Sequence, residues 1–250
     1  MKIYAKTDIG KVRTTNEDCY DFEIINTDVA WALVCDGMGA AVFGEIASNM
    51  AKEIVRKELN QYFCNYESKK ITDESIKNEI IKCIKLANEE IFNKSSSDKK
   101  FNGMGTTLVL AIICCDVLHI AHVGDSRAYL LNKENVKRLT LDHSLVEELV
   151  KSGKITNEEA KCYPQKNVIT RALGVSENIE IDYDLLTLEK EDNIFLCTDG
   201  LSNYVNSKGL ASYFLKYKES DFINELVNYA NNLGGKDNIT ALYISRSWSS

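Results

Sequence analysis

Two apolar runs of this sequence end on the same pair, an aspartate followed by a glycine. The run WALVC leads into Asp36-Gly37, and the run NIFLCT leads into Asp199-Gly200. Two more acids lie beside apolar runs, Asp125 within AHVGDSRAYLL and Asp237 within GGKDNITALYI. An Asp-Gly pair is also a common hairpin signal, so each acid taken alone is most simply interpreted as a turn residue.

Several carboxylates gathered at one end of a sheet would repel one another, and each is costly to remove from water. A hard divalent cation removes that cost, and an all-oxygen ligand set favours Mg²⁺ or Mn²⁺ over zinc. A glycine after the aspartate lets neighbouring backbone approach closely, and its carbonyl can serve as a ligand. The pattern predicts a divalent-metal centre, with Arg13, Glu17 and Asp18 placed before another strand.

The elements that must position these acids can be predicted from the spacing of apolar residues. Strands are expected at 2–7, 19–26, 30–35, 105–115, 117–124, 127–132, 181–187, 193–198 and 239–246. Helices are expected at 44–62, 73–94, 207–217 and 219–233, with a shorter one at 144–152, whereas the polar stretch 94–103 is expected to be a loop. Helices come in pairs rather than after every strand, which favours largely antiparallel sheets covered by helix pairs.

Composition argues against several classes of protein, among them nucleic-acid-binding and membrane-spanning proteins. The chain has 250 residues and a net charge of −7, which argues against a nucleic-acid-binding surface. The sequence has no window of 18 uncharged apolar residues and no apolar signal segment at its N-terminus, so we expect a cytoplasmic protein without a membrane span. The eight cysteines are scattered without a C-x-x-C pair, which indicates reduced, structural thiols.

Eight segments carry a resemblance to a known family. They are VRTTNED, CDGMG with the following GE, GMGTTLV, AHVGDSRAYLL, LTLDHSLVEELVKSGKIT, NVITRALG, LCTDGLS and GGKDNIT. In this order they resemble the metal-dependent Ser/Thr protein phosphatases (the PPM, or type 2C, family), and the chain is most similar to the short soluble bacterial members. The resemblance implies one catalytic domain over residues 1–250, with a flap insert at about 145–173. It also implies an α+β fold, a four-layer α/β/β/α sandwich in which two mainly antiparallel sheets are flanked by pairs of helices.

The same resemblance implies a role for each acid in binding two Mn²⁺ or Mg²⁺ ions and a third, weaker ion. Asp36 would bridge the two core ions, and the Gly37 carbonyl would bind the second. Asp199 and Asp237 would complete the first core site. Asp125 would share the third ion with Asp199.

Glu17 and Asp18 would hold metal-bound waters or touch a metal. The alternative for Asp125 is a turn acid that pairs with Arg127, two residues away. Two cations can share a water and lower its pKa, so that a hydroxide attacks phosphorus in line with the leaving Ser or Thr oxygen.

Arg13 resembles the family's phosphate-binding arginine, and its planar fork matches two phosphate oxygens. The alternative for Arg13 is a surface salt bridge. Met38 stands where many family members have a histidine that could donate a proton, so the leaving-group proton must come from elsewhere. His119 and His122 would face opposite sides of one strand and are interpreted as structural, whereas His143 could lie near the flap.

The sequence thus predicts a metal-dependent phosphatase acting on phosphoserine and phosphothreonine in proteins, opposing a Hanks-type Ser/Thr kinase and working as a monomer. Two alternatives remain open at this point. One is a catalytically silent relative that serves as a binding module, and the other is a metal phosphohydrolase that acts on small phosphate esters.

Overall fold

The computed structural model of the protein describes residues 1–39, 43–64 and 71–246. Its strands, in chain order, are β1 (Lys2–Asp8), β2 (Asp18–Ile24), β3 (Val29–Met38), β4 (Gly105–Thr106), β5 (Leu108–Cys114), β6 (Val117–Val123), β7 (Arg127–Leu131), β8 (Val136–Arg138), β9 (Asp182–Thr187), β10 (Asn193–Cys197) and β11 (Ile239–Ser245). Its helices are α1 (Phe43–Phe63), α2 (Asp73–Ser97), α3 (Leu145–Lys151), α4 (Asn157–Lys161), α5 (Asp199–Ser202), α6 (Ser207–Lys216) and α7 (Glu219–Asn232).

The strands form two sheets. One has the order β1-β11-β10-β7-β8, and the other has the order β2-β3-β5-β6-β9, with β4 added beside β3. Every strand pairing between described residues is antiparallel. This confirms the prediction of two antiparallel sheets.

Four layers result because the central strands are apolar on both faces. In β3, Ala32 and Val34 face the space between the sheets, whereas Trp31 and Leu33 face α1 and α2. The other sheet packs against α6 and α7 around Phe222. The α/β/β/α order that the family resemblance implies is therefore confirmed, and the sheets meet in a core of small and branched apolar side chains.

The longest helix shows why the sequence folds this way locally. α2 begins at a capping box, in which the Ser75 backbone N–H donates to Thr72 Oγ1 at 3.2 Å and the Thr72 N–H donates to Ser75 Oγ at 2.9 Å. Ile76, Ile80 and Ile84 then recur on one buried face, as the periodicity predicts. None of the described helices is long and apolar enough to cross a membrane.

Three local predictions need correction. The stretch 94–103 is not all loop, because α2 continues to Ser97 and a 3₁₀ turn follows at Lys99–Phe101, where Phe101 packs edge-on against Phe43. β8 was not predicted. Asp36-Gly37 is not a turn either, because β3 runs on to Met38 by pairing with β4.

Candidate metal centre

The N-terminal segment and β3 bring the first acids together. Asp18 on β2 lies directly opposite Asp36 on β3 in the antiparallel register. One residue earlier, the Glu17 carbonyl accepts a hydrogen bond from the Gly37 N–H at 3.1 Å. The Glu17 N–H donates to Asn238 Oδ1 at 2.9 Å, which joins this corner to the segment before β11. Residues far apart in sequence therefore meet at one end of the two sheets.

Asp199 and Asp237 reach the same corner through a close approach of backbone. Asp199 begins α5, directly after β10. A Cβ atom on Gly200 would lie 1.8 Å from the Asn238 carbonyl oxygen, so only glycine permits this contact. The contact places the start of α5 against the residue that follows Asp237.

Gly37 is required for a second close approach. A Cβ atom there would lie 2.1 Å from the Gly44 carbonyl oxygen and 2.6 Å from the Glu17 carbonyl oxygen. The Gly44 N–H, in the first turn of α1, donates to Glu17 Oε1 at 3.1 Å. The prediction that glycine after each aspartate allows close packing is confirmed at both Asp-Gly pairs.

The acids at this corner disturb one another's ionisation. Burial, reinforced by the neighbouring carboxylates Asp18 and Asp199, raises the pKa of Asp36 well above its usual range. Burial raises the pKa of Asp18 to about 7, even though Thr198 Oγ1 donates to its Oδ2 at 2.8 Å. Burial and Asp237 also raise the pKa of Asp199. Without added positive charge, these carboxyl groups cannot all ionise at neutral pH.

Asp125 lies in the turn between β6 and β7. Burial, followed by repulsion from Asp199, raises its pKa to about 8. The alternative in which Asp125 pairs with Arg127 is wrong, because Arg127 Nη2 instead donates to Asp142 Oδ2 at 2.6 Å. Asp125 and Asp199 both line a cleft of about 540 Å³, which Val146 of α3 also lines.

Two orphaned oxygen atoms indicate what the corner can hold. Asp18 Oδ1 and Asp125 Oδ1 are buried and have no hydrogen-bond partner among the described residues. A buried carboxylate oxygen left unpaired is costly, and a divalent cation or its water shell satisfies it. The donor set consists of carboxylates and carbonyls, so these residues fit the hard cation that the sequence predicts.

Arg13 stands at the rim of this cluster. Its Nη2 donates to Asp237 Oδ2 at 2.9 Å, and its Nη1 lies 3.9 Å from Glu17 Oε2. Its side chain is 47% exposed, so the guanidinium borders both the acids and solvent. The salt bridge that sequence reasoning held as an alternative for Arg13 is thus present, and it is made with one of the candidate ligands.

Sequence reasoning missed three side chains that orient the acids. Thr198 fixes Asp18, Asn203 Nδ2 donates to Asp199 Oδ2 at 3.1 Å, and Asn238 joins Glu17 to the loop at Ile9 and Thr15. Thr198 and Asn238 each adjoin a candidate ligand in sequence, and a hydroxyl or amide at that position is the signal that could have identified them.

The two buried cysteines near this corner, Cys35 and Cys197, do not have the low thiol pKa of a catalytic nucleophile. Burial raises the pKa of Cys35 well above its usual value and that of Cys197 to about 12. Both side chains are buried, so both stay as protonated thiols at neutral pH. This agrees with the structural role that their position in apolar runs predicts.

Known proteins resemble this chain over nearly its whole length. A sequence model of the family "Protein phosphatase 2C" matches residues 11–240. The serine/threonine phosphatase stp of Listeria monocytogenes is 38% identical over 248 residues, which is 98% of this chain and 96% of that protein. The structure of the S. agalactiae serine/threonine phosphatase superposes with a TM-score of 0.87 at 33% identity and covers 98% of each chain.

A further solved structure bears on the metal. The catalytic domain of the serine/threonine protein phosphatase PstP, in complex with two manganese ions, superposes with a TM-score of 0.83 at 28% identity. The alignment covers 98% of this chain and 97% of that one.

Proposed function

We propose that this chain, which belongs to the protein phosphatase 2C family and is a metal-dependent serine/threonine protein phosphatase, holds its divalent cations on Asp36, Asp199 and Asp237. The observation that carries the proposal is the convergence of these acids at one corner, where burial and mutual repulsion raise the pKa of Asp36 and of Asp199. A cation bound there would relieve that repulsion. The Gly37 carbonyl, at the end of β3, would add a neutral oxygen ligand.

Glu17 and Asp18 support these ligands from the N-terminal side. Glu17 Oε1 is held by the Gly44 N–H, and Asp18 Oδ2 is held by the Thr198 hydroxyl. Asp18 Oδ1 is left free to accept a hydrogen bond from water at the metal centre. Their proposed part is to orient water and fix the position of Asp36 across the strand pair.

Two divalent cations, when bound, supply positive charge that acidifies a water and neutralises phosphoryl oxygens. Arg13 would bind the substrate phosphate beside them. Its guanidinium lies at the rim and is about half exposed, so it can turn from Asp237 toward a phosphate in the cleft. Its fork suits two phosphate oxygens, which strengthens and aligns the contact.

Asp125 would hold a third cation together with Asp199, with which it lines the same cleft. This is supported by the buried, unpartnered Oδ1 of Asp125 and by its repulsion from Asp199. Met38 has no proton to give, so the leaving alkoxide would take its proton from water held near Asp125.

The finer identity of the metal and partners is part of the same proposal. An all-oxygen donor set suits Mn²⁺ and Mg²⁺. We infer phosphoproteins phosphorylated by a Hanks-type kinase as substrates, a monomeric cytoplasmic enzyme, and one catalytic domain over residues 1–250. Its flap, residues 145–173, would shape substrate choice, since Val146 and Lys166 border the cleft.

Calorimetric titration with Mn²⁺ tests the assignment of ligands. The wild-type protein should bind two ions tightly, and Asp36→Asn should lose both because their shared ligand is gone. Asp21→Asn is the matched control, since Asp21 lies on β2 and pairs with Arg56 outside the cluster. Unchanged tight binding by Asp36→Asn would overturn the proposed ligand set.

A further inference from the structure

A buried histidine lies behind Asp125 and has no part in the proposed chemistry. His143 is only 5% exposed, and its ring stacks on His122 at a centroid distance of 4.6 Å. His143 contacts Gly124 in the β6–β7 turn and lies two residues before the start of the flap, segment 145–173.

Two reciprocal hydrogen bonds join His143 to the residue before Asp125. The Gly124 N–H donates to His143 Nδ1 at 3.1 Å, and the His143 N–H donates to the Gly124 carbonyl at 2.9 Å. Gly124 has a φ of +105°, and a Cβ atom there would lie 2.5 Å from the side chain of Thr107. Gly124, which leads into Asp125, is therefore held in a conformation that favours glycine, and His143 satisfies both of the backbone polar groups of Gly124.

The other edge of the imidazole faces an ion pair. His143 Nε2 lies 3.3 Å from Asp182 Oδ1, and Arg171 Nη1 donates to the same oxygen at 2.7 Å. The pKa of His143 is lowered, first by burial and then by His122 and Arg171. A neutral ring with its proton on Nε2 accepts from the Gly124 N–H at Nδ1 and donates to Asp182 at Nε2.

His122, His143 and Asp182 also bring their ligand atoms within 4.8 Å of one another, which suggests a metal site. The position of the proton on the His143 ring argues against a metal site here. The Gly124 N–H takes the lone pair of His143 Nδ1, so Nε2 carries the proton and has no lone pair for a metal. The Arg171 guanidinium already lies 3.2 Å from that nitrogen. The group is better explained as a structural clamp.

The backbone of His143 belongs to the neck of segment 145–173. The Thr170 N–H donates to the His143 carbonyl at 2.8 Å, and the Leu145 N–H donates to the Val168 carbonyl at 2.9 Å. Ser144 then caps α3, accepting from the Glu147 N–H at 3.4 Å. His143 therefore links two places: its backbone carbonyl binds the neck of segment 145–173, and its ring binds the turn that carries Asp125.

We propose that His143 is a positioning residue, which holds the Gly124-Asp125 peptide so that the Asp125 carboxylate faces Asp199 and couples that placement to the neck of segment 145–173. The inference rests on the proposed role of Asp125 as a ligand of the weaker cation. Loss of the ring should therefore act on the weak cation site and leave the core ligands in place.

The test compares His143→Leu with His143→Asn, whose side-chain oxygen can replace Nδ1 as the acceptor for Gly124. The readout is the Mn²⁺ concentration that gives half-maximal turnover of a phosphopeptide. It should rise about tenfold in His143→Leu, because a buried N–H loses its acceptor, and return to within about threefold of wild type in His143→Asn. The two tight ions, measured by calorimetry, should still bind, and KM for an aryl phosphate at saturating Mn²⁺ should be unchanged.

Two variants make the result decisive. His119→Asn is the matched control, since His119 is also a buried histidine but lies on β6 and contacts Tyr183 and Asp73. It should keep the wild-type Mn²⁺ dependence. If His143→Leu does not fold, Asp182→Asn replaces it in the test, because Asp182 is 41% exposed and contacts Nε2 of the His143 ring. Asp182→Asn should shift the Mn²⁺ dependence in the same direction.

The outcomes separate the two claims. If Asp125→Ala shifts the Mn²⁺ dependence but His143→Leu lowers activity equally at all Mn²⁺ concentrations, His143 is merely structural and the inference fails alone. If Asp125→Ala causes no shift, the proposed weak site fails and this inference fails with it. A shift in His143→Leu that Asn restores, and that is absent in an Asp125→Ala background, supports the coupling.

Discussion

Asp36 is the residue on which the electrostatics of the corner converge. Burial raises its pKa most, and the neighbouring carboxylates Asp18, Asp199 and Asp125 raise it further. A cation at Asp36 is therefore attracted by several carboxylates at once, whereas a lysine in its place could neutralise only one. This is the physical reason for expecting divalent ions here, and it makes the neighbours of Asp36 the most informative residues to change.

Arg13→Ala should weaken substrate capture more than it slows turnover. If the fork binds the ground-state phosphate, KM rises and kcat changes less, with a loss of about 1.5–3 kcal/mol in transition-state stabilisation. Steady-state kinetics on a phosphopeptide measures this. Arg56→Ala is the control, since Arg56 has a similar exposure of 45% and pairs with Asp21. Wild-type kinetics for Arg13→Ala would show that the role was assigned to the wrong residue.

Asp125→Ala should keep both tightly bound ions and the fold, yet lose most activity on phosphopeptides. The reason is that Met38 cannot donate a proton, so water held near Asp125 becomes the available acid for the leaving alkoxide. An aryl phosphate has a better leaving group and needs that proton less, so its hydrolysis should suffer less. Equal losses on both substrates, with core occupancy confirmed by calorimetry, would leave Asp125 as a positioning residue.

At the scale of elements, the long periodic segments were predictable, whereas the very short β8, α4 and α5 were not. α2 was expected at 73–94 and is found at Asp73–Ser97, because its apolar face repeats over many turns. α5 is four residues long, too short to show a period, so Asp199 was expected at a strand end and instead begins a helix. The acids themselves could be predicted from their pattern, but Thr198 and Asn203 act through contacts that only the fold creates.

Gly200→Ala tests the close approach that brings Asp199 beside Asp237. The added Cβ would overlap the Asn238 carbonyl, so the start of α5 must shift and Mn²⁺ affinity should fall at least tenfold, about 1.4 kcal/mol. Gly209→Ala is the control, because Gly209 lies inside α6 and its Cβ would meet only an ordinary contact at 3.4 Å. That control should be neutral or more stable by up to about 1 kcal/mol. Equal Mn²⁺ affinity in both variants would refute the packing argument.

At the scale of the whole molecule, the corner joins both sheets and two helix termini. β2 and β3 come from one sheet, whereas the segment before β11 and the end of β10 come from the other. The acids are therefore held together by the sandwich as a whole, and their mutual repulsion opposes folding when no cation is present. Stability and metal binding should be linked.

The metal-free protein should become less stable as pH rises from 6.5 to 8. Burial and Asp199 raise the pKa of Asp18 to about 7 and that of Asp125 to about 8, so the folded state binds more protons than the unfolded state in this range. The free energy of unfolding then falls as pH rises through those values, by about 1–3 kcal/mol.

Thermal melting of chelated protein at the two pH values measures the effect. The buried histidines have lowered pKa values, so loss of their protons from the unfolded state, whose histidine pKa is about 6.5, adds a smaller, opposing gain in stability that is nearly complete by about pH 7.5. Mn²⁺ should remove the fall, because a bound cation favours the ionised carboxylates. A melting temperature that rises with pH in the chelated protein would contradict the account.

The central claim is that the carboxylate corner works only with divalent cations bound, and one measurement tests it most directly. Phosphopeptide hydrolysis is followed for wild type and Asp36→Asn after exhaustive chelation and again after Mn²⁺ or Mg²⁺ is added back. The account predicts no turnover by chelated wild type, recovery with either ion, and no recovery by Asp36→Asn. Undiminished turnover by the chelated wild-type protein, or full recovery by Asp36→Asn, would contradict it.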